Sequence, residues 1–303
     1  MHEVAQKISL SNRAGIRKAV RVIQDMVEEV MLQDKPVLLA ASTLKVYDDY
    51  TFTHSVNVAI LSMYLGKQIG LSKKSLESLG VCGLFHDLGK ILVPPNILNK
   101  PGKLNDNEFS KIKWHPFNSV RLITKLRATR ERKAKIIMAP FEHHLKYNLT
   151  GYPDLGWKKP LTLFGRILAI ADVYDALTSA RVYRPEGLSP DRALGLMLQG
   201  SGTDFDPIAL KIFINMLGIY PVGTLLKLDT EEIGLVSDKP STEALDRPRL
   251  IKLVWDERNG GFTKAEEIDL SDCDPKTGAF LRNIEESIHP AHYGIQPAQF
   301  LTS

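Results

Sequence analysis

Cysteine is nearly absent: Cys82 and Cys273 are the only two in 303 residues, and they stand far apart. No disulfide framework or zinc-ribbon spacing can be built from such a pair, which excludes a stapled secreted scaffold and makes a reducing compartment the expectation. Long hydrophobic runs are missing as well. No segment approaches the roughly 18 apolar residues of a membrane span, and MHEVAQKISL has no unbroken apolar stretch behind its charges. The sequence therefore predicts a cytoplasmic protein with no membrane partner. Charge of one sign is also lacking: 39 Lys and Arg face 35 Asp and Glu, giving a net +4. The basic residues are scattered, so the dense footprint of a nucleic-acid binder is not expected. With 44% hydrophobic and 24% charged residues, the composition is that of a globular protein.

What is present is mostly helical periodicity. Ile16, Ala19, Val20, Ile23, Val27, Val30 and Met31 fall in steps of three and four, one stripe of a helix. Further helices are predicted through Leu38 to Leu44, from Thr53 to Gly70, and from an N-cap at Ser72 to His86-Asp87. The pattern continues over Asn105 to Lys113, ends at His115-Pro116, resumes through Val120, Ile123 and Leu126, and covers Glu131 to His144 with Ala134, Ile137, Met138 and Phe141 inward. After a Gly- and Pro-rich loop it resumes over Leu161 to Thr178, Asp191 to Gln199 and Pro207 to Leu217. Past Pro221, VGTLLKL, EIGLVS, RLIKLVW and EEIDL read as short strands separated by turn formers such as Asn259-Gly260-Gly261. The expected fold class is all-α, a helical bundle with a small C-terminal β appendage. The expected division is 1–45 as an N-terminal helical segment, 46–220 as the main domain and 221–303 as the appendage.

Five of the eight histidines, His54, His86, His115, His143 and His144, fall at ends or faces of these helices. Imidazole and carboxylate suit iron, manganese and zinc, and a bundle can aim such ligands into one cavity. A lone histidine is more often structural, and Arg166 could equally satisfy a buried Asp172. Even so, a carboxylate inside ILAIADVYDAL is expensive unless paired or bound to a cation. His86-Asp87 offers a nitrogen and a carboxylate able to bridge two ions.

The order of the motifs is more specific than any one of them. HSVNVA (54–59), HDLGK (86–90), WHP (114–116), HH with GYP (143–153) and IADVYDALTSARVYR (170–184) resemble the HD-GYP family of the HD phosphohydrolase superfamily over about 46–217. The resemblance implies an HD-type helical bundle around a metal centre and hydrolysis of cyclic di-GMP to linear pGpG, and onward to GMP, by a hydroxide bridging two metals. It implies His54, His86, Asp87, His115, His143, His144 and Asp172 as ligands, with Asp87 bridging. Two divalent ions, iron or manganese, are expected, because Tyr50 stands where relatives with a third ion carry glutamate. Asp87 and Lys90 are the implied catalytic residues, with Lys90, Arg181 and Arg184 contacting the nucleotide. Gly151, Tyr152 and Pro153 form a loop implied to meet a diguanylate cyclase domain.

The departure lies in one loop, where the family pattern HHExxDGxGYP becomes HHLKYNLTGYP. Leu145 removes a carboxylate able to orient a ligand histidine, and Leu149 in place of glycine predicts a different turn. Two other readings follow: a catalytically impaired cyclic di-GMP sensor or partner-binding scaffold, and a phosphohydrolase for another nucleotide. The N-terminal helix is expected as a dimer contact or as an added layer of the bundle, with regulation coming from a separate chain or from metal supply.

Overall fold

The computed structural model describes residues 13–32, 50–126, 129–154, 156, 159–179, 187–238, 244–288 and 290–301. The helices are α1 (Arg13–Leu32), α2 (Tyr50–Gln68), α3 (Lys73–Phe85), α4 (Pro95–Leu98), α5 (Asp106–Lys113), α6 (His115–Lys125), α7 (Arg130–Glu142), α8 (Leu163–Thr178), α9 (Pro190–Gln199) and α10 (Pro207–Leu217). A 3₁₀ turn, Leu88–Leu92, follows α3. The segment 38–44 lies outside the described residues.

Local chemistry fixes several helix starts. Asn105 and Glu108 form a reciprocal capping box at α5, and Thr162 Oγ1 accepts the Gly165 amide at α8. The Asp206 side chain caps α10 by accepting from the Ile208 and Ala209 amides. Ser72 takes the N-cap position of α3 without a side-chain cap bond.

One continuous core holds the bundle together, joining Ile23, Val27 and Val30 of α1 to Val58 and Met63 of α2, Leu76 and Leu79 of α3, Ile167 and Ile170 of α8 and Phe213 of α10. Each such side chain contributes roughly 1.5–3 kcal/mol of burial free energy. The burial of α1 makes it a layer of the bundle. On α7 the deeply buried positions are Ile136, Ala139, Pro140 and Glu142, continued by His143 just past its end, whereas Ala134 is exposed and Ile137, Met138 and Phe141 are only partly buried. The stripe is thus shifted by a residue or two from the sequence expectation.

The all-α class is corrected by the C-terminal region. Five antiparallel strands, β1 (Leu225–Leu228), β2 (Ile233–Asp238), β3 (Arg249–Asp256), β4 (Gly261–Asp269) and β5 (Ile284–Ile288), form one sheet in the order β4-β3-β2-β1-β5. One face buries Leu226, Leu228, Val236, Leu250 and Ile268; the other buries Leu225, Leu235, Ile251 and Leu253 under Ile295 and a short final helix, α11 (Pro297–Leu301). A sheet with apolar clusters on both faces is a structural layer of its own, so the fold is helical bundle plus sheet. β5 reads IEESI, whose central glutamates hide it from a hydrophobicity search.

The approach of α2 to α3 is set by Gly83, where an added Cβ would lie 2.6 Å from Ala59 Cα. That contact brings the rings of His54 and His86 to 5.2 Å between centroids. Gly83→Ala should destabilise the chain by about 1–3 kcal/mol through overpacking, measured by denaturant unfolding; unchanged stability would show that the helices can separate freely.

Candidate metal centre

Five segments deliver side chains to one buried cluster. His54 comes from the second turn of α2; His86 caps α3 and Asp87 begins the 3₁₀ turn; His115 opens α6; His143 and His144 follow α7; Asp172 lies within α8. His86 and His115 are fully buried, and His54, Asp87, His143 and Asp172 nearly so.

The two oxygens of Asp87 face different partners. Oδ2 lies 3.3 Å from His86 Nε2 and 3.7 Å from His54 Nε2, while Oδ1 lies 3.2 Å from His115 Nε2 and 3.8 Å from His143 Nε2. Asp172 Oδ1 joins the first side, 3.1 Å from His54 Nε2 and 3.7 Å from His86 Nε2. His144 joins the second: one donor atom each from Asp87, His115, His143 and His144 fall within 4.8 Å of one another, as do those of His54, His86 and Asp87. A third set, His86, His143 and Asp172, links the two, so the seven residues expected as ligands converge in two overlapping lobes with Asp87 facing both.

Backbone geometry aims the rings. His86 Nδ1 bonds to Gly83 O at 2.7 Å, His115 Nδ1 to Ile112 O at 2.8 Å and His143 Nδ1 to Pro140 O at 2.7 Å. Each carbonyl accepts only, so each Nδ1 must donate; His115 and His143 thereby turn an Nε2 lone pair toward the cluster, and His86 turns its Nε2 there, available as a donor once its second proton leaves. Pro140, lacking an N–H, leaves the Ile136 carbonyl without its helical partner; the Cys82 thiol lies 3.7 Å from that oxygen. Burial pushes the Cys82 pKa up, which suits a packing role. His54 differs from the other three: its Nδ1 meets the Asp175 carboxylate at 2.7 Å.

This donor set fits a divalent cation. His115 Nε2 and His143 Nε2 face each other at 3.2 Å, although both are lone-pair atoms once Nδ1 donates. His86 Nε2 and Asp87 Oδ1 are buried with no hydrogen-bond partner of acceptable geometry. Such groups cost about 1–3 kcal/mol each when left unsatisfied, a cost that a shared cation removes.

The electrostatics divide along the same lines. Burial holds His143 far below the usual histidine range and His144 at about 3, favouring neutral imidazoles. Burial alone would lower His86 too, but Asp87 and Asp172 overcome it and raise it to about 10. Burial would raise both carboxylates; His86 and Lys90 hold Asp87 down instead, and His54 and His86 hold Asp172 down. Lys90 Nζ lies 2.5 Å from Asp87 Oδ2 with its side chain 27% exposed, bridging the cluster and solvent.

The altered loop turns through a left-handed residue. Leu149 adopts φ +67, the left-handed region that glycine enters freely and a leucine enters only under strain. Gly151 is required where it stands, since a Cβ there would lie 2.3 Å from His144 O. Tyr152 packs on His144 with ring centroids 4.5 Å apart, and the Tyr152-Pro153 bond is cis. Glu142 turns away from the centre, accepting from Thr162 N at 3.0 Å and Thr162 Oγ1 at 2.5 Å, and so ties α7 to the start of α8. Arg181 and Arg184 lie outside the described residues. The sequence reading passed over Asp175; its signal was a second acid three residues beyond Asp172 in the same apolar run.

The sequence profile of the HD domain family matches residues 26–208, more than half of the chain, and the chain belongs to that family. It is 35% identical over 249 residues to the cyclic di-GMP phosphodiesterase PA4108 of Pseudomonas aeruginosa, covering 81% of this chain and 58% of that protein. It is 36% identical over 158 residues to 3'3'-cGAMP-specific phosphodiesterase 1 of Vibrio cholerae, covering 52% of this chain and 35% of that protein. The chain thus spans less than two thirds of the length of these relatives. Among solved structures, Bd1817, an HDG"Y"P protein from Bdellovibrio bacteriovorus, shares the fold with a TM-score of 0.56 at 20% identity, over 71% of this chain and 67% of that one.

Two outcomes are expected. Because His86 is raised to about 10, it holds a proton throughout the neutral range and a metal must displace it. Metal affinity should therefore rise as pH increases from 6 to 8, by up to about tenfold per unit for one displaced proton, and titrations with Mn(II) at several pH values measure the slope. Leu149→Gly removes the left-handed strain and should stabilise the chain by about 1 kcal/mol net of glycine's added chain entropy, seen as a higher Tm.

Proposed function

We propose that this chain is a metal-dependent phosphodiesterase that opens cyclic di-GMP to linear pGpG and carries it onward to GMP. The observation that carries the reading is the division of Asp87, whose two oxygens face two adjoining lobes of Nε2 donors. His54, His86, Asp87 and Asp172 would hold one divalent ion, and Asp87, His115, His143 and His144 the other, with iron or manganese suited to these donors. Such ions, when bound, supply Lewis acidity to a water and to the phosphodiester.

The chain's own groups do the rest. The neutral His143 and His144 keep their lone pairs available; the Nδ1 hydrogen bond to Pro140 holds the first ring and packing on Tyr152 the second, without reorganisation during the reaction. Hydrolysis adds water across the P–O3′ bond: a new P–O bond forms, the ribose oxygen leaves and takes up a proton. Lys90, anchored to Asp87 and reaching solvent, is placed to neutralise phosphate charge or to supply that proton. Arg181 and Arg184 are proposed to grip the nucleotide. Residues 46–220 are proposed as the phosphohydrolase unit, with α1 packed against it. Among the described residues no helix is long and apolar enough to cross a membrane.

The sensor or scaffold alternative draws its support from the loop, and the presence of both His143 and His144 in the donor cluster weakens it. Protein purified anaerobically and reconstituted with Fe(II) or Mn(II) should hydrolyse cyclic di-GMP, and Asp87→Ala should lose both metal and at least about a thousandfold of turnover. Two metals bound without turnover of any cyclic dinucleotide would refute the enzymatic reading.

A further inference from the structure

Four histidines present Nε2 to the cluster with Nδ1 hydrogen-bonded, but their supports are not alike. His86, His115 and His143 each rest on the neutral carbonyl of the residue three positions earlier. His54 rests on a carboxylate from a different helix, with its Nδ1 2.7 Å from Asp175 Oδ2. Asp175 is itself buried to 1% exposure and held on both oxygens: Asn57 Nδ2 donates to Oδ1 at 2.9 Å and Ser179 Oγ donates to Oδ2 at 3.1 Å. A buried carboxylate braced this tightly is a fixed negative charge against the far side of one ring.

We propose that Asp175 is a positioning residue that fixes the tautomer of His54 and strengthens it as a metal donor, making the two sides of the centre inequivalent. The physical basis is that an anionic acceptor on Nδ1–H pushes electron density toward Nε2 more than a carbonyl does, and it also locks the ring's rotation. The ion on the His54, His86 and Asp172 side therefore binds more tightly than the ion on the His115, His143 and His144 side. Asn57, one turn after His54 on α2, belongs to the same device, since it holds the carboxylate that holds the ring. This rests on the metal-dependent reading above but requires no particular substrate.

The test is equilibrium dialysis against Mn(II), with bound metal counted by elemental analysis and folding checked by near-UV circular dichroism. The parent chain, Asp175→Asn, His54→Ala and the double variant form a cycle. The parent should bind two ions with separable affinities, and Asp175→Asn should weaken the tighter one by about 10- to 100-fold. In the His54→Ala background the same substitution should cost nothing further, because its effect runs through that ring. A purely structural role would instead weaken binding equally in both backgrounds, and that result overturns the proposal, as does unchanged affinity in Asp175→Asn. If Asp175→Asn does not fold, Asn57→Ala replaces it, with a smaller loss that must likewise vanish in the His54→Ala background. A parent chain that binds no divalent metal would overturn the metal centre itself, an outcome distinct from a parent that binds two ions indifferent to Asp175.

Discussion

The structure turns on one carboxylate. Asp87 sits where α3 gives way to a 3₁₀ turn, fully enclosed, with an oxygen toward each of two groups of imidazoles and the Lys90 ammonium against it. Burying that charge without compensation is prohibitive, so the surrounding segments must be held where they can compensate it. The tight turn after His86 is fastened from α6, where the Ser119 hydroxyl donates to the His86 carbonyl and accepts the Gly89 amide. A Cβ at Gly89 would lie 2.0 Å from the His115 carbonyl, so glycine is what allows the two ligand segments to touch.

The apolar core and the polar cluster make opposite demands on the same helices. The core wants α1, α2, α3, α8 and α10 closed around Val27, Met63, Leu79 and Ile167. The cluster places buried donors with unsatisfied lone pairs inside that closure. Nδ1 hydrogen bonds reduce the conflict by giving the rings of His54, His86, His115 and His143 one satisfied side each. The remaining inward-facing atoms are the part of the structure that a cation completes, and binding energy there is also folding energy.

The altered loop holds its shape through bonds of its own. Asn148 supplies a local turn by accepting from the Thr150 amide and hydroxyl, and the loop is pinned to the segment after α9 through the Asp204 and Thr203 carbonyls. These bonds hold Leu149 in a conformation it would not choose alone. Leu145, where the family pattern has glutamate, is buried, and Glu142 makes its own contact to α8 instead of replacing it at the centre.

The sequence by itself determined the helical stripes, the order of the ligand motifs and the chemistry of their donors, because periodicity and residue type are local properties that survive without coordinates. It located His86-Asp87 at a helix end and Asp172 within an apolar helix, and both stand there. Tertiary structure alone decided which oxygen of Asp87 faces which histidine, and that His54 leans on Asp175, 121 positions away. It also decided the weight of the sheet, since β5 joins β1 through backbone pairing while carrying glutamates at its centre. Strand pairing depends on partners distant in the chain, and metal-site geometry on rings brought together from five segments. Neither distance is written in the spacing of the residues.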